Sequence, residues 1–168
     1  LKGGFAPWVG SVLKNIQSKI LLVCEAGQET EAIVRLSRVG FDNVIGYLEG
    51  GFNTWANSEE ETETIESISA INLEKIINKD ISLIDVRACG ERKSGFLNES
   101  FSIPLNLIES KFESIDKSKK HYIHCAGGYR SMIACSYLKK QGYQNLVDVK
   151  GGFASISNDT SLDILKEN

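Results

Sequence analysis

One cysteine in this sequence stands in a setting that favours a reactive sulfur. In the stretch HYIHCAGGYRSMIACSYL, Cys125 follows an apolar, strand-like segment and precedes Gly127, Gly128 and Arg130. We predict left-handed φ angles at both glycines, which would point successive backbone N–H groups at one spot in front of a helix. The N terminus of that helix adds roughly half a positive charge, so the loop should favour the Cys125 thiolate and present it as an open nucleophile. The alternative is a buried strand-end cysteine beside a solvated arginine.

Three other groups could take part in chemistry, and for each of them we favour a simpler role. His124 precedes the cysteine, but side chains alternate along a strand, so it should point away from Cys125 and not act as its base. Cys135 lies on the apolar face of the following helix and is predicted to belong to the core. Cys89 could serve as a resolving thiol, although an incidental surface cysteine is the better prediction.

The composition limits the partners that this chain could have. The sequence has 168 residues, 42% of them apolar, and a net charge of -3 with its 19 Lys and Arg scattered, which argues against a nucleic-acid partner. No apolar run approaches the roughly 20 residues of a membrane span and no signal segment opens the chain, so we predict no membrane contact and a cytoplasmic location. Without paired Cys or His at ligand spacing, we also predict reduced cysteines, no metal site and no cofactor.

The order of strand-like and helix-like segments indicates an α/β fold with an internal duplication. ILLVCEAG and HYIHCAGG are strand-and-loop segments, and each is followed by a helical stretch, a second strand and a GGF motif. Strands that alternate with helices favour a central, mostly parallel sheet flanked by helices. Only the second copy has an upstream half, in which residues 67–80 are predicted to form one helix. We therefore divide the chain into half a module at 1–57, an acidic linker at 58–66 and a complete module at 67–168.

The cysteine loop resembles the active-site loop of rhodanese-family sulfurtransferases, and the surrounding segments share the resemblance. The stretch IDVRACGERKSGFLNESFSIPL is similar to family landmarks, represented here by Asp85, Arg87, Glu91, Gly95, Ile103 and Pro104. The resemblance implies a rhodanese-like fold in which Cys125 is the catalytic nucleophile. It implies that the rest of the loop binds the substrate, namely Ala126, Gly127, Gly128, Tyr129, Arg130 and Ser131. Asp85 and Arg87 would form a structural pair beneath the loop.

The length of the loop separates sulfur transfer from a related phosphate chemistry. Cysteine-dependent phosphatases place five residues between the cysteine and the arginine, whereas four stand between Cys125 and Arg130. The smaller loop suits a terminal sulfur, so we expect Cys125 to take sulfur from a small donor, thiosulfate or a persulfide, and to pass it to cyanide, sulfite or a thiol. Arg130 would orient the charged end of the donor, and Tyr129 would line the mouth. A non-catalytic scaffold and a phosphatase are the alternatives.

Residues 1–57 are similar to the degenerate rhodanese module of bacterial proteins that fuse a metallo-β-lactamase-type persulfide dioxygenase to two rhodanese modules. We therefore expect an upstream domain of that type, outside this chain, to carry the metal. In the first copy, Glu25 and Glu29 lie in a shorter loop without arginine and oppose thiolate formation, so Cys24 should be an inert core residue. Half a module cannot cover its sheet edges alone, so it should pack on the second module, on another copy in a homo-oligomer, or on the upstream half.

Overall fold

The computed structural model describes residues 4–77 and 81–166, and the chain divides into two compact units, Leu1–Glu63 and Thr64–Asn168. The first unit contains, in chain order, α1 (Phe5–Val12), β1 (Ile20–Leu22), α2 (Glu29–Ser37), β2 (Val44–Tyr47) and α3 (Gly51–Ala56). Its two strands pair in parallel, and one face of this small sheet packs in a core of Ile20, Leu22, Ala32, Leu36 and Phe41.

The opposite face of the first unit's sheet is apolar and uncovered. Side chains alternate along a strand, so the residues between the core positions point to the other side. These residues are large and exposed: Leu21 by 71%, Val23 by 56%, Ile45 by 55% and Tyr47 by 53%. Among the described residues, a buried core therefore covers only one face of the first unit's sheet, and the other face exposes apolar side chains.

The second unit is built around a five-stranded sheet. Its elements are β3 (Glu66–Ile68), α4 (Ala70–Glu74), β4 (Ser82–Asp85), α5 (Cys89–Arg92), β5 (Phe96–Leu97), β6 (Ser100–Ser102), a 3-10 turn (Leu105–Leu107), α6 (Ile108–Lys111), a second 3-10 turn (Phe112–Ser114), β7 (His121–His124), α7 (Tyr129–Lys140), β8 (Leu146–Val149), α8 (Gly152–Asp159) and β9 (Ile164–Leu165). The strand order is β3-β8-β7-β4-β6, and every pair in this sheet is parallel. This architecture confirms the predicted α/β fold with a mostly parallel central sheet.

Both faces of the five-stranded sheet are buried, as a parallel sheet covered by helices requires. Neighbouring residues on β4 show the alternation: Leu83 packs with Leu73 of α4 and Ile156 of α8, whereas Ile84 packs on the opposite face among residues of α7. Because the strands are parallel, their carboxyl ends meet at one edge, where Asp85 of β4 pairs with His124 of β7. Cys125 follows at that same edge.

One element differs from the sequence prediction. The single helix predicted over 67–80 is wrong at both ends, and at its start Glu66–Ile68 form a strand that pairs with β8. The helix starts only at Ala70, because the Ser69 side chain accepts the N–H of Asn72 at 3.3 Å and so caps it. The prediction is also wrong beyond Glu74, where the helix ends and residues 75–77 form a turn, and its last part, residues 78–80, lies outside the described residues.

Candidate active site

Cys125 lies between the end of β7 and the start of α7, and its sulfur is held by two donors. The N–H of Gly128 donates to Sγ at 3.1 Å, and the hydroxyl of Ser131 contacts Sγ at 3.6 Å. Gly128 is the N-cap residue of α7 with a φ of +94°, which a residue with a Cβ would resist. Gly127 was expected to share this left-handed conformation, but that prediction is wrong, since only Gly128 has a positive φ in the loop. A single glycine is enough to turn the chain into the helix.

The loop backbone is held from the side by the start of α8. The N–H groups of Phe153 and Ala154 donate to the carbonyls of Cys125 and Ala126 at 2.6 and 3.0 Å. This close approach requires glycine at position 152, where a Cβ would lie 2.3 Å from the oxygen of Cys125. The first unit repeats the arrangement, since a Cβ on Gly51 would lie 2.0 Å from the oxygen of Cys24.

The sulfur is less open than the sequence suggested. Cys125 is only 1% exposed, so the predicted open thiol is wrong for this conformation. The physical reason is that Sγ turns inwards toward the donors on Gly128 and Ser131. In contrast, Tyr129 is 46% exposed and Gly127 is also exposed, so the outer side of the loop faces solvent.

Arg130 contacts a carboxylate that sequence reasoning had noted only as a landmark. Its Nη1 and Nη2 donate to Oε2 and Oε1 of Glu91 at 2.6 and 2.8 Å. The hydrogen bond from Arg130 lowers the pKa of Glu91, and the same bond raises the pKa of Arg130, with a further contribution from the nearby Cys125 sulfur. The guanidinium is thus paired with a carboxylate, and the charge of the Cys125 sulfur also acts on it.

A buried charge network supports the strand ends beneath the loop. Arg87 donates to both oxygens of Asp85, from Nε at 3.0 and 3.1 Å and from Nη2 at 2.8 Å, and Arg92 reaches Oδ2 of Asp85 at 3.0 Å. Burial opposes the ionised form of Asp85, but hydrogen bonds from Arg87 and the charges around it outweigh burial and lower its pKa. The ring of Phe153 covers Arg87 at 3.8 Å. Sequence reasoning paired Asp85 with Arg87 and missed Arg92, because nothing in the local pattern marks this arginine as buried.

His124 is fully buried and is not placed as a base for the cysteine. Its Nδ1 lies 3.4 Å from the carbonyl oxygen of Cys125 and 4.0 Å from Oδ1 of Asp85, and its ring stacks on Phe153. Burial lowers its pKa to about 4, and the neighbouring Asp85 carboxylate only partly opposes this effect. The imidazole is therefore neutral near pH 7.

The remaining cysteines differ from Cys125 in their surroundings. Cys135 is buried in α7, and burial together with Asp148 raises its pKa to about 12. Burial and the charge of Glu29 raise the pKa of Cys24, as expected for an unreactive thiol. The prediction that Cys24 is a core residue is wrong, since it is only half-buried. Cys89 is exposed at the start of α5.

Asp148 is a further buried carboxyl near the loop that sequence reasoning missed. It lies on β8 opposite Ile123 of β7, and burial raises its pKa while the neighbouring side chain of Ser131 partly offsets that effect. Its position in VDVK looked like an ordinary alternating strand residue, and only the packing of α7 on β8 brings it beside Ser131.

Within residues 4–77 and 81–166, no three or more His, Cys, Asp or Glu side chains are grouped so that they could hold a metal ion. Over the same ranges, no helix has the length and apolar character needed to cross a membrane.

A parallel sheet flanked by helices, with a cysteine loop at its carboxyl edge that leads into a helix, defines an α/β domain with a cysteine-centred candidate site. Residues 69–159 match the model of the rhodanese-like domain, and the chain belongs to that family.

Individual relatives support the same assignment. The chain is 36% identical over 98 residues to the protein YtwF of Bacillus subtilis, a match that covers 57% of this chain and 94% of that protein. It is 34% identical over 74 residues to a sulfurtransferase of Allochromatium vinosum, covering 44% of this chain and 69% of the relative. A crystal structure of a rhodanese-related protein from Thermoplasma volcanium superposes with a TM-score of 0.56 at 32% identity, covering 61% of this chain and 99% of that one. The named relatives indicate sulfur transfer as the general activity.

Proposed function

We propose that this chain moves sulfane sulfur through a persulfide on Cys125. The Cys125 thiolate attacks the outer sulfur of thiosulfate or of a persulfide such as glutathione persulfide. A new S–S bond forms at Sγ, and sulfite or a thiolate leaves with the electron pair of the broken bond. A thiophilic acceptor, namely cyanide, sulfite or a thiol, then attacks the outer sulfur, and Cys125 leaves as the thiolate.

The observation that carries this proposal is the pair of donors on the Cys125 sulfur. The N–H of Gly128 and the hydroxyl of Ser131 approach Sγ at 3.1 and 3.6 Å, at the N terminus of the 12-residue helix α7. Donors aimed at a sulfur stabilise its anionic form, both as the attacking thiolate and as the persulfide product. Asp85 and Arg87 act from below as structural support and do not contact the sulfur in this role. No proton transfer by His124 is required.

The donor must reach a sulfur that is covered in this conformation. Gly127 and Tyr129 form the exposed outer side of the loop, so we place the approach path there. Gly127 has no atom within 4 Å of a Cβ position, which leaves open space beside it. We propose that movement of this outer side uncovers Sγ. The low exposure of Cys125 is also the observation that favours the second candidate function, a non-catalytic scaffold.

A mass measurement with a matched cysteine control tests the proposal. After incubation with thiosulfate or glutathione persulfide, the intact protein should gain one sulfur atom on Cys125, and cyanide should remove it as thiocyanate. Cys125→Ser should abolish both signals, whereas Cys24→Ser, at the equivalent position of the first unit, should leave them unchanged. A wild-type protein that gains no sulfur from either donor would support the scaffold. Hydrolysis of an aryl phosphate above the Cys125→Ser background would instead support the phosphatase, against which the four-residue spacing and the engaged Arg130 argue.

We further propose that a metallo-β-lactamase-type dioxygenase domain works together with this chain in the cytoplasm. The first unit would pack on the second module, on another copy of the chain or on an upstream half of its own module. The uncovered apolar face with Leu21, Val23, Ile45 and Tyr47 supports the need for such packing. Sedimentation of the chain alone and after addition of a metallo-β-lactamase-type dioxygenase domain would test it. If the chain is a monomer and the amide hydrogens of β1 exchange with solvent as fast as those of an unfolded peptide, the proposed packing is contradicted.

A further inference from the structure

Glu91 makes three hydrogen bonds that fix the only cation of the cysteine loop. Its two oxygens accept Nη1 and Nη2 of Arg130 at 2.6 and 2.8 Å, and Oε2 also accepts the backbone N–H of Ala88 at 2.9 Å. The Arg130 side chain is 15% exposed and that of Glu91 36%, so water screens this pair only in part. A bidentate pair of this kind holds the guanidinium in one orientation.

Glu91 is itself held by the element that carries it. It lies in α5, where the next residue, Arg92, donates to Oδ2 of Asp85 at 3.0 Å and to Oγ of Ser100 at 2.9 Å. These contacts are buried, so α5 is attached to the strand ends and cannot simply follow Arg130 when a ligand pulls on it. Any anion that recruits Arg130 must compete with a carboxylate that stays in place.

The chemistry of the two donor classes makes this competition selective. Thiosulfate is a compact dianion, and its sulfonate oxygens lie on the atom bonded to the sulfur that Cys125 attacks, so its leaving group, sulfite, carries two negative charges beside the loop. An organic persulfide carries one negative charge on its terminal sulfur, and its leaving group is a thiolate on a carbon chain. Stabilising the dianion calls for an uncompensated guanidinium, whereas the Gly128 and Ser131 donors on Sγ suffice for the monoanion.

We propose that Glu91 is a positioning residue that compensates the charge of Arg130 and so makes the site select monoanionic organic persulfides over thiosulfate. This inference rests on the proposed sulfurtransferase function. It adds to that function a preferred class of donor and the residue that sets the preference.

The experiment compares kcat/KM for thiosulfate and for the persulfide of 2-mercaptoethanol, which has no other charge. Glu91→Gln keeps an oxygen for the Ala88 N–H but removes the negative charge from Arg130. Relative to wild type, we expect the thiosulfate-to-persulfide ratio of kcat/KM to rise about fivefold, mainly through a lower KM for thiosulfate. A fivefold change corresponds to the energy of one partly exposed ion pair. Glu91→Ala should shift the ratio in the same direction, and Glu99→Gln, at an exposed position in the turn before β6, should not change it.

The outcomes separate this inference from the proposed function. Suppose that wild-type protein forms the Cys125 persulfide, but both Glu91 variants leave the ratio unchanged or lower kcat/KM equally for both donors. Glu91 is then only a structural residue, and the inference is overturned. If wild-type protein forms no persulfide with either donor, the proposed function fails and the inference falls with it. A lower melting temperature of both variants without a change in ratio also counts against it, since a structural role alone predicts that result.

Discussion

Replacing Gly152 by alanine should displace the backbone of the cysteine loop. Gly152 has a φ of +56°, and a Cβ there would lie 2.3 Å from the oxygen of Cys125 and 2.9 Å from the carbonyl carbon of Ala126. An alanine in the left-handed region costs about 1–2 kcal/mol. The loop carbonyl must also retreat by about 1 Å to reach ordinary contact distance. That movement weakens the bonds that Phe153 and Ala154 donate to the loop, at about 1 kcal/mol each, so the loss of stability should be about 3–4 kcal/mol.

Sulfur transfer should suffer beyond the loss of stability. A reacting atom displaced by about 1 Å commonly costs on the order of 100-fold in rate. The persulfide on Cys125 should therefore form about 100-fold more slowly in Gly152→Ala, measured by stopped reactions and intact mass below the melting temperature of the variant.

The first unit offers a matched control for this variant. Gly51 has a φ of +60°, and its Cβ would lie 2.0 Å from the oxygen of Cys24, so Gly51→Ala introduces the same local strain away from Cys125. This control should lose stability but form the persulfide at the wild-type rate. Wild-type stability and rate in Gly152→Ala, or an equal loss of rate in both variants, would refute the account of how the loop is held.

Two further predictions concern the buried groups beneath the loop. The pKa of His124, lowered to about 4 by burial, lies below its usual value of about 6.5 in an unfolded chain, so the unfolded state takes up its proton first as the pH falls. The free energy of unfolding, measured by urea titration, should therefore drop by up to about 3 kcal/mol between pH 6.5 and 4. His124→Asn should flatten this pH dependence, and an unchanged pH dependence would contradict the lowered pKa of His124. Arg92→Leu removes one cation from buried Asp85 and should lower the free energy of unfolding of the second unit by about 3–5 kcal/mol. Lys93→Leu, at the exposed neighbouring position, should change that free energy little. Equal losses in the two variants would show that Arg92 is not part of the buried charge network.

Local sequence signals were sufficient for the order of elements around Cys125. An apolar strand, a glycine turn and a helix follow one another directly along the chain, and each depends on neighbouring residues. The segments HYIH and RSMIACSYLKKQG therefore predicted β7 and α7, although the structure begins α7 at Tyr129. The same approach failed at Ser67 and Ile68, where pairing with β8 gives a strand in place of the first helical turn. A strand at the edge of a sheet is decided by its partner, and the partner lies about 80 residues away in sequence.

The sequence alone determined the fold class and the residues of the cysteine loop, because periodicity, glycine and the order of residue types act over a few positions. Only the tertiary structure decided which charges meet. Glu91 and Arg130 are 39 residues apart, and Arg92 joins Asp85 rather than solvent, because neighbouring parallel strands bring their ends to one edge. The structure likewise turned the Cys125 sulfur inwards, since its exposure depends on where Gly128 and Ser131 place their donors in space.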